Sequence, residues 1–153
     1  MKTALRLSIV IVAIAISSVT VRASSWPVVQ GLVSGIELCP QAWCGAAVFA
    51  GVFKGQIGFI PNAVGTMAVA VHHGQLPVDE DDCTPVPDGV WTIKTLFRKL
   101  EGVASGELCY NGDNTYHISV GMQITSGGIG SANFEGTLDH NVFPPTVKGA
   151  ITQ

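Results

Sequence analysis

From Tyr116 to Thr125 the chain alternates strictly: Tyr116, Ile118, Val120, Met122 and Ile124 share one face, and His117, Ser119, Gly121, Gln123 and Thr125 the other. Successive side chains of a strand point to opposite sides, so this stretch predicts a strand with one apolar and one polar face. The period returns along the chain. Trp91, Ile93 and Phe97 oppose Thr92, Lys94 and Leu96; Phe134, Gly136 and Leu138 oppose Asn133, Glu135, Thr137 and Asp139; Val147, Gly149 and Ile151 repeat the pattern near the end. Val28 to Leu38, Ala46 to Ile57 and Val64 to His73 mix branched, aromatic and small residues, as strands partly buried on both faces do. Turn signals separate these runs at Pro61-Asn62, across the proline-bearing stretch Gly74 to Gly89, at Asn111-Gly112-Asp113-Asn114, at Gly127-Gly128 and at Pro144-Pro145. No stretch past the N-terminal region sustains a helical period, and the chain reads as all-β.

Glycine selects the architecture. All 18 glycines fall after residue 23, about twice the roughly 7% of an average chain. Several lie inside the strand patterns: Gly51 and Gly55 around Phe53, then Gly102, Gly106, Gly121, Gly136 and Gly149. Glycine weakens a strand interior, so its repeated use marks bulges, sharp bends at barrel corners or close packing beneath aromatic rings. The expectation is a small antiparallel barrel of about eight strands, with a two-sheet β-sandwich as the alternative.

The first 23 residues have the form of a secretory leader: Lys2 and Arg6, an aliphatic run from Leu7 to Ile16, and Val21-Arg22-Ala23 at the cleavage position. Cleavage near Ala23 leaves a single all-β domain, residues 24–153, in the periplasm or outside the cell. Ser17 and Ser18 interrupt the apolar run, which is shorter than the about 20 residues a spanning helix needs, so stable membrane insertion is not expected. Without Lys2, Arg6 and Arg22, five basic residues face eleven acidic ones, a net of −6. Nucleic acid, which is bound through clustered Lys and Arg, is therefore not an expected partner, and an anionic lipid surface is equally disfavoured by net charge. An outer-membrane barrel is disfavoured by the scarcity of Trp and Tyr for interface girdles.

Export makes Cys39, Cys44, Cys83 and Cys109 disulfide partners. Four cysteines allow three connectivities; the preferred one joins Cys39 to Cys44 around Pro40-Gln41-Ala42-Trp43, and Cys83 to Cys109. A zinc site is disfavoured because Cys83 and Cys109 form no close pair in sequence.

Two groups of residues carry candidate chemistry. His72 and His73 precede Asp79, Glu80, Asp81 and Asp82, and imidazole with carboxylate is a common ligand set for first-row metals. Adjacent strand residues diverge, however, and a solvated acidic loop is the favoured reading, with no metal and no cofactor expected. Asp139 beside His140 could orient an imidazole for general-base work, and His117 on a polar strand face is a further candidate. Ser105 falls one residue out of step with a nucleophile elbow, and Gly128-Ile129-Gly130 lacks the third glycine and the helix of a dinucleotide site.

These observations point first to a non-enzymatic exported module binding a small apolar ligand or a protein partner. One alternative is a secreted hydrolase or isomerase using a His/Asp pair or a metal. Another is a structural envelope or surface protein assembling through strand edges.

Overall fold

The computed structural model describes residues 29–153; the expected leader, residues 1–23, lies outside them. Eight strands follow one another: β1 (Val29–Cys39), β2 (Ala47–Ile57), β3 (Ile60–His72), β4 (Cys83–Thr95), β5 (Lys99–Tyr110), β6 (Thr115–Ser126), β7 (Ser131–Asp139) and β8 (Thr146–Thr152). Each pairs antiparallel with the next, and β1 pairs with β8 from Gly31↔Ile151 to Ile36↔Thr146, closing the sheet into a barrel. One short helix, α1 (Gln41–Cys44), spans a single turn that periodicity could not reveal; the Cys39–Cys44 disulfide and Gly45, in a left-handed conformation at its C-terminus, bound it. The second disulfide joins Cys83 to Cys109, which face each other across β4 and β5.

Strand alternation sorts the side chains. Val29, Val33, Phe53, Ile57, Met67, Trp91, Ile93, Leu100, Met122, Ile124, Phe134, Val147 and Ile151 point inward as one apolar core. The outer face carries His117, Glu135, Lys54 and Lys148, with exposed aliphatics such as Leu32, Val52, Val64 and Val90 on the neighbouring strands β1 to β4, while the interior is apolar where a porin-type barrel has a polar lumen. No helix among the described residues is long and apolar enough to cross a membrane.

Glycine makes this closure possible. Gly31 pairs with Gly55 and Gly35 with Gly51 across β1 and β2, so closely that a Cβ on Gly31 would lie 2.6 Å from the Cα of Gly55. The Trp91 ring covers Gly102, and the Phe134 ring lies over both Gly136 and Gly149, 2.6 Å from where each Cβ would stand. Aromatic rings thus fill the space that missing side chains leave, as expected for glycine at barrel bends.

Three boundaries differ from the sequence reading. The proline-bearing turn stretch ends at Asp82 rather than Gly89, because Cys83 to Val86 already pair with Cys109 to Gly106 as the start of β4. Pro61-Asn62 lies inside β3, because Gly58-Phe59 makes the turn and Asn62 adopts the left-handed conformation that Asn tolerates. Phe97 belongs to the turn 96–98, since the bond from the Thr95 N–H to the Arg98 carbonyl closes the hairpin there.

The two ends of the barrel differ. Short turns 58–59, 96–98 and 127–130 join strands at one end, which Val29, Ile57, Ile93, Leu100 and Ile151 close. The other end carries the longer connections 40–46, 73–82, 111–114 and 140–145.

Candidate functional site

Between the closed-end core and a second buried cluster toward the loops, Val86, Leu108, Tyr116 and Leu138, the interior is not completely filled. Phe49, Val69, Val71, Ile118 and Val120 point inward yet stay only partly buried, because the space they face is open. Trp91, Met122, Met67 and Phe134 floor a cavity of about 90 Å³ whose walls are almost entirely apolar. Its polar lining comes from the loop end, where Glu37, His73 and His140 meet its rim beside Leu76.

Glu37 is placed by strand parity. It follows Val33 and Gly35 on the inward face of β1, and its backbone N–H donates to the Pro145 carbonyl at 2.9 Å where β1 leaves its pairing with β8. Only 8% of the residue is exposed. Desolvation raises its carboxyl above the ordinary range, and the charges of His140 and His73 offset this only in part.

His140 directly follows β7, and its N–H donates to the Asn114 carbonyl at 3.1 Å. Its ring stands edge-on to Tyr116, with centroids 5.3 Å apart. Its Nε2 lies 3.6 Å from Glu37 Oε2, beyond hydrogen-bond length, and is buried without a partner. A buried polar atom lacking a partner costs free energy, and an oxygen or nitrogen of an occupant could satisfy it. His73 is held by the Gln41 side chain, which accepts from its N–H at 2.8 Å and donates to its carbonyl at 2.9 Å. The His73 Nδ1 is 2.6 Å from the Gly74 carbonyl, to which it donates in the matching tautomer.

The structure distributes the residues singled out in the sequence. His72 points outward and pairs with Asp88, so it and His73 diverge as adjacent strand residues do. Asp79, Asp81 and Asp82 stay on the exposed loop; the Asp81 N–H donates to the Tyr110 carbonyl, and Asp82 bonds back to Asp79. Among the described residues, one group of three potential metal ligands converges, Cys83, Glu107 and Cys109, and its two sulfurs are already joined in a disulfide. Asp139 accepts from the Asn141 N–H at 2.8 Å, while the neighbouring His140 faces Glu37. His117 lies outside the barrel, 3.0 Å from Glu135.

Glu37 escaped the sequence reading because it sits in a run that looked buried on both faces. Its signal was parity: a carboxylate two and four positions from Gly35 and Val33 is directed inward wherever those are.

Comparison with known proteins finds no family model, no curated relative and no solved structure that matches the chain. Fold and site define a class: a disulfide-stapled, closed eight-stranded β-barrel with an apolar cavity and an acid–imidazole pair at its rim.

Proposed function

We propose that the protein is an exported binding module that takes a small apolar molecule, or the apolar end of a longer one, into the barrel. The carrying observation is the cavity itself, bounded by inward-facing residues that the core leaves partly uncovered. At about 90 Å³ it is smaller than the 150 Å³ cavity that admits benzene in an engineered protein. The enclosed part of the ligand is thus a short chain, and a larger ligand extends past Leu76 and His73 into the loop end. A single polar group on it would meet Glu37 and the unpartnered His140 Nε2 at the rim. The two disulfides suit an oxidising compartment, which supports export.

The test is a series of primary alkanols of rising chain length, read by the thermal unfolding midpoint. Stabilisation should grow with length and level off once the cavity is filled, reaching about 2.7 kcal/mol at a hundredfold excess over Kd. Val120→Phe, which fills the cavity, should abolish the response. If no alkanol raises the midpoint, or the Val120→Phe variant responds equally, the cavity is not a binding site.

The isomerase or hydrolase reading draws support from one observation, the desolvated Glu37 beside an unsatisfied imidazole nitrogen. A carboxylate with raised proton affinity next to an imidazole suits proton transfer within a bound molecule. Glu37→Gln would then remove turnover while leaving binding in place; a binding module has no turnover to lose. The pairing of β1 with β8 leaves no open sheet edge among the described residues, which counts against assembly through strand edges.

A further inference from the structure

The closed end of the barrel combines two features that its structural role does not require. The turns 58–59, 96–98 and 127–130 present Phe59, Leu96, Phe97 and Ile129, large apolar side chains 75% to 87% exposed. Around them stand four of the five Lys and Arg residues described: Lys54, Lys94, Arg98 and Lys99, all exposed and within four residues of a turn. Lys148, the fifth, lies on the barrel wall. Glu101 is the one acidic side chain at this end among the described residues, and it is paired with Lys99 at 2.7 Å.

The acidic residues gather at the opposite end. Asp79, Glu80, Asp81, Asp82 and Asp113 occupy its loops, and Asp139 ends β7 beside them. That end also exposes apolar side chains, Trp43, Val78 and Phe143, but an anionic surface repels the carboxylates around them. A net charge of −6 past the leader therefore conceals a barrel with one basic and one acidic end.

We propose that the closed end docks peripherally on an anionic lipid bilayer, with the four apolar tips entering the headgroup region and the four cations over anionic headgroups. Apolar side chains on turns ringed by Lys and Arg match the two requirements of interfacial binding, apolar burial and attraction to anionic lipid. The orientation follows from topology: turns of an up-and-down barrel alternate between ends, so docking by this end keeps Glu37, His140 and the cavity rim facing solvent.

The experiment is vesicle co-sedimentation of the protein purified as the cell exports it, with vesicles of phosphatidylcholine alone or mixed with phosphatidylserine. The protein should sediment with the mixed vesicles, and release with rising salt as surface charges are screened. Lys94→Ala with Arg98→Ala should weaken binding roughly 25-fold, about fivefold per charge. Leu96→Ser with Phe97→Ser should weaken it at least roughly tenfold, whereas Trp43→Ser with Phe143→Ser should leave it unchanged. All these side chains are exposed, and an unaltered unfolding midpoint verifies that each variant is folded. The proposal is overturned by absence of binding to the mixed vesicles, by equal binding to neutral ones, or by loss of binding in the Trp43/Phe143 variant rather than the Leu96/Phe97 one.

Discussion

Adding one methyl group at Gly102 and one at Gly121 should move stability in opposite directions, although both glycines lie on neighbouring strands of the same barrel. A Cβ at Gly102 would stand 2.6 Å and 2.7 Å from two carbons of the Trp91 indole and inside the van der Waals contact of the Gln123 carbonyl oxygen. Ordinary contacts begin near 3.4 Å, so ring or strand must shift by most of an ångström. Trp91 is 2% exposed and its Nε1–H donates to the Val103 carbonyl at 3.0 Å, so moving the indole toward the cavity it floors breaks that bond. Overpacking costs about 1–3 kcal/mol, and displacing the indole forfeits about 1 kcal/mol more from that hydrogen bond. Gly102→Ala should therefore destabilise by about 2–4 kcal/mol, lowering the melting midpoint by about 4 °C per kcal/mol. At Gly121 a Cβ would meet only the Ser105 carbonyl oxygen, at 3.7 Å. There the smaller conformational freedom of alanine in the unfolded chain prevails, and Gly121→Ala should stabilise by about 0.4–1 kcal/mol. Calorimetry on the two variants, with urea unfolding as a second measure, compares them directly. A Gly102→Ala midpoint within 1 °C of the unaltered protein, or an equal fall in both variants, would refute the view that aromatic rings packed on glycine hold the barrel's shape.

Three further outcomes are expected. Burial raises the Glu37 carboxyl in the folded state, so the folded protein holds that proton to higher pH than the unfolded chain, and stability falls as pH rises through the interval between the two; Glu37→Gln should remove this slope, up to about 1.4 kcal/mol per pH unit, in urea titrations run from pH 4 to pH 8. Loss of the Cys83–Cys109 disulfide, which closes a separation of 26 residues, should cost about 3.5 kcal/mol, against about 2.1 kcal/mol for Cys39–Cys44 with its separation of 5, as measured by urea unfolding of paired Cys→Ala variants. Phe134→Ala should destabilise by about 3–5 kcal/mol and enlarge the cavity, shifting the best-bound alkanol toward longer chains in the thermal-shift series.

Much of the barrel was legible because alternation and glycine placement are local properties that closure then uses. The run Tyr116 to Ile124 shows an inward face before any partner is known, and β6 carries it without a break in register against β7. Of the interior glycines read as bulges, bends or sites of aromatic cover, Gly102, Gly136 and Gly149 lie under Trp91 and Phe134, whereas Gly51, Gly55 and Gly106 face neighbouring backbone. The preferred disulfide pairing is the one formed, but sequence left three connectivities open, and for Cys83 and Cys109 it is the pairing of β4 with β5 that brings the sulfurs together.

The site was less legible, because it depends on which strands meet. His140 was visible as a histidine at a strand end, but its adjacent Asp139 turns away to the Asn141 N–H. Its facing carboxylate, Glu37, stands 103 positions earlier and arrives only because β8 carries the chain back to β1. Period, turn chemistry and composition thus determined an all-β chain, its inward residues and its glycine-dependent curvature, since each acts within a strand or between neighbours. Closure of β1 on β8 decided the rest: the unfilled space, the Glu37–His140 pair at its rim and the separation of basic from acidic ends, all set by distances between residues remote in sequence.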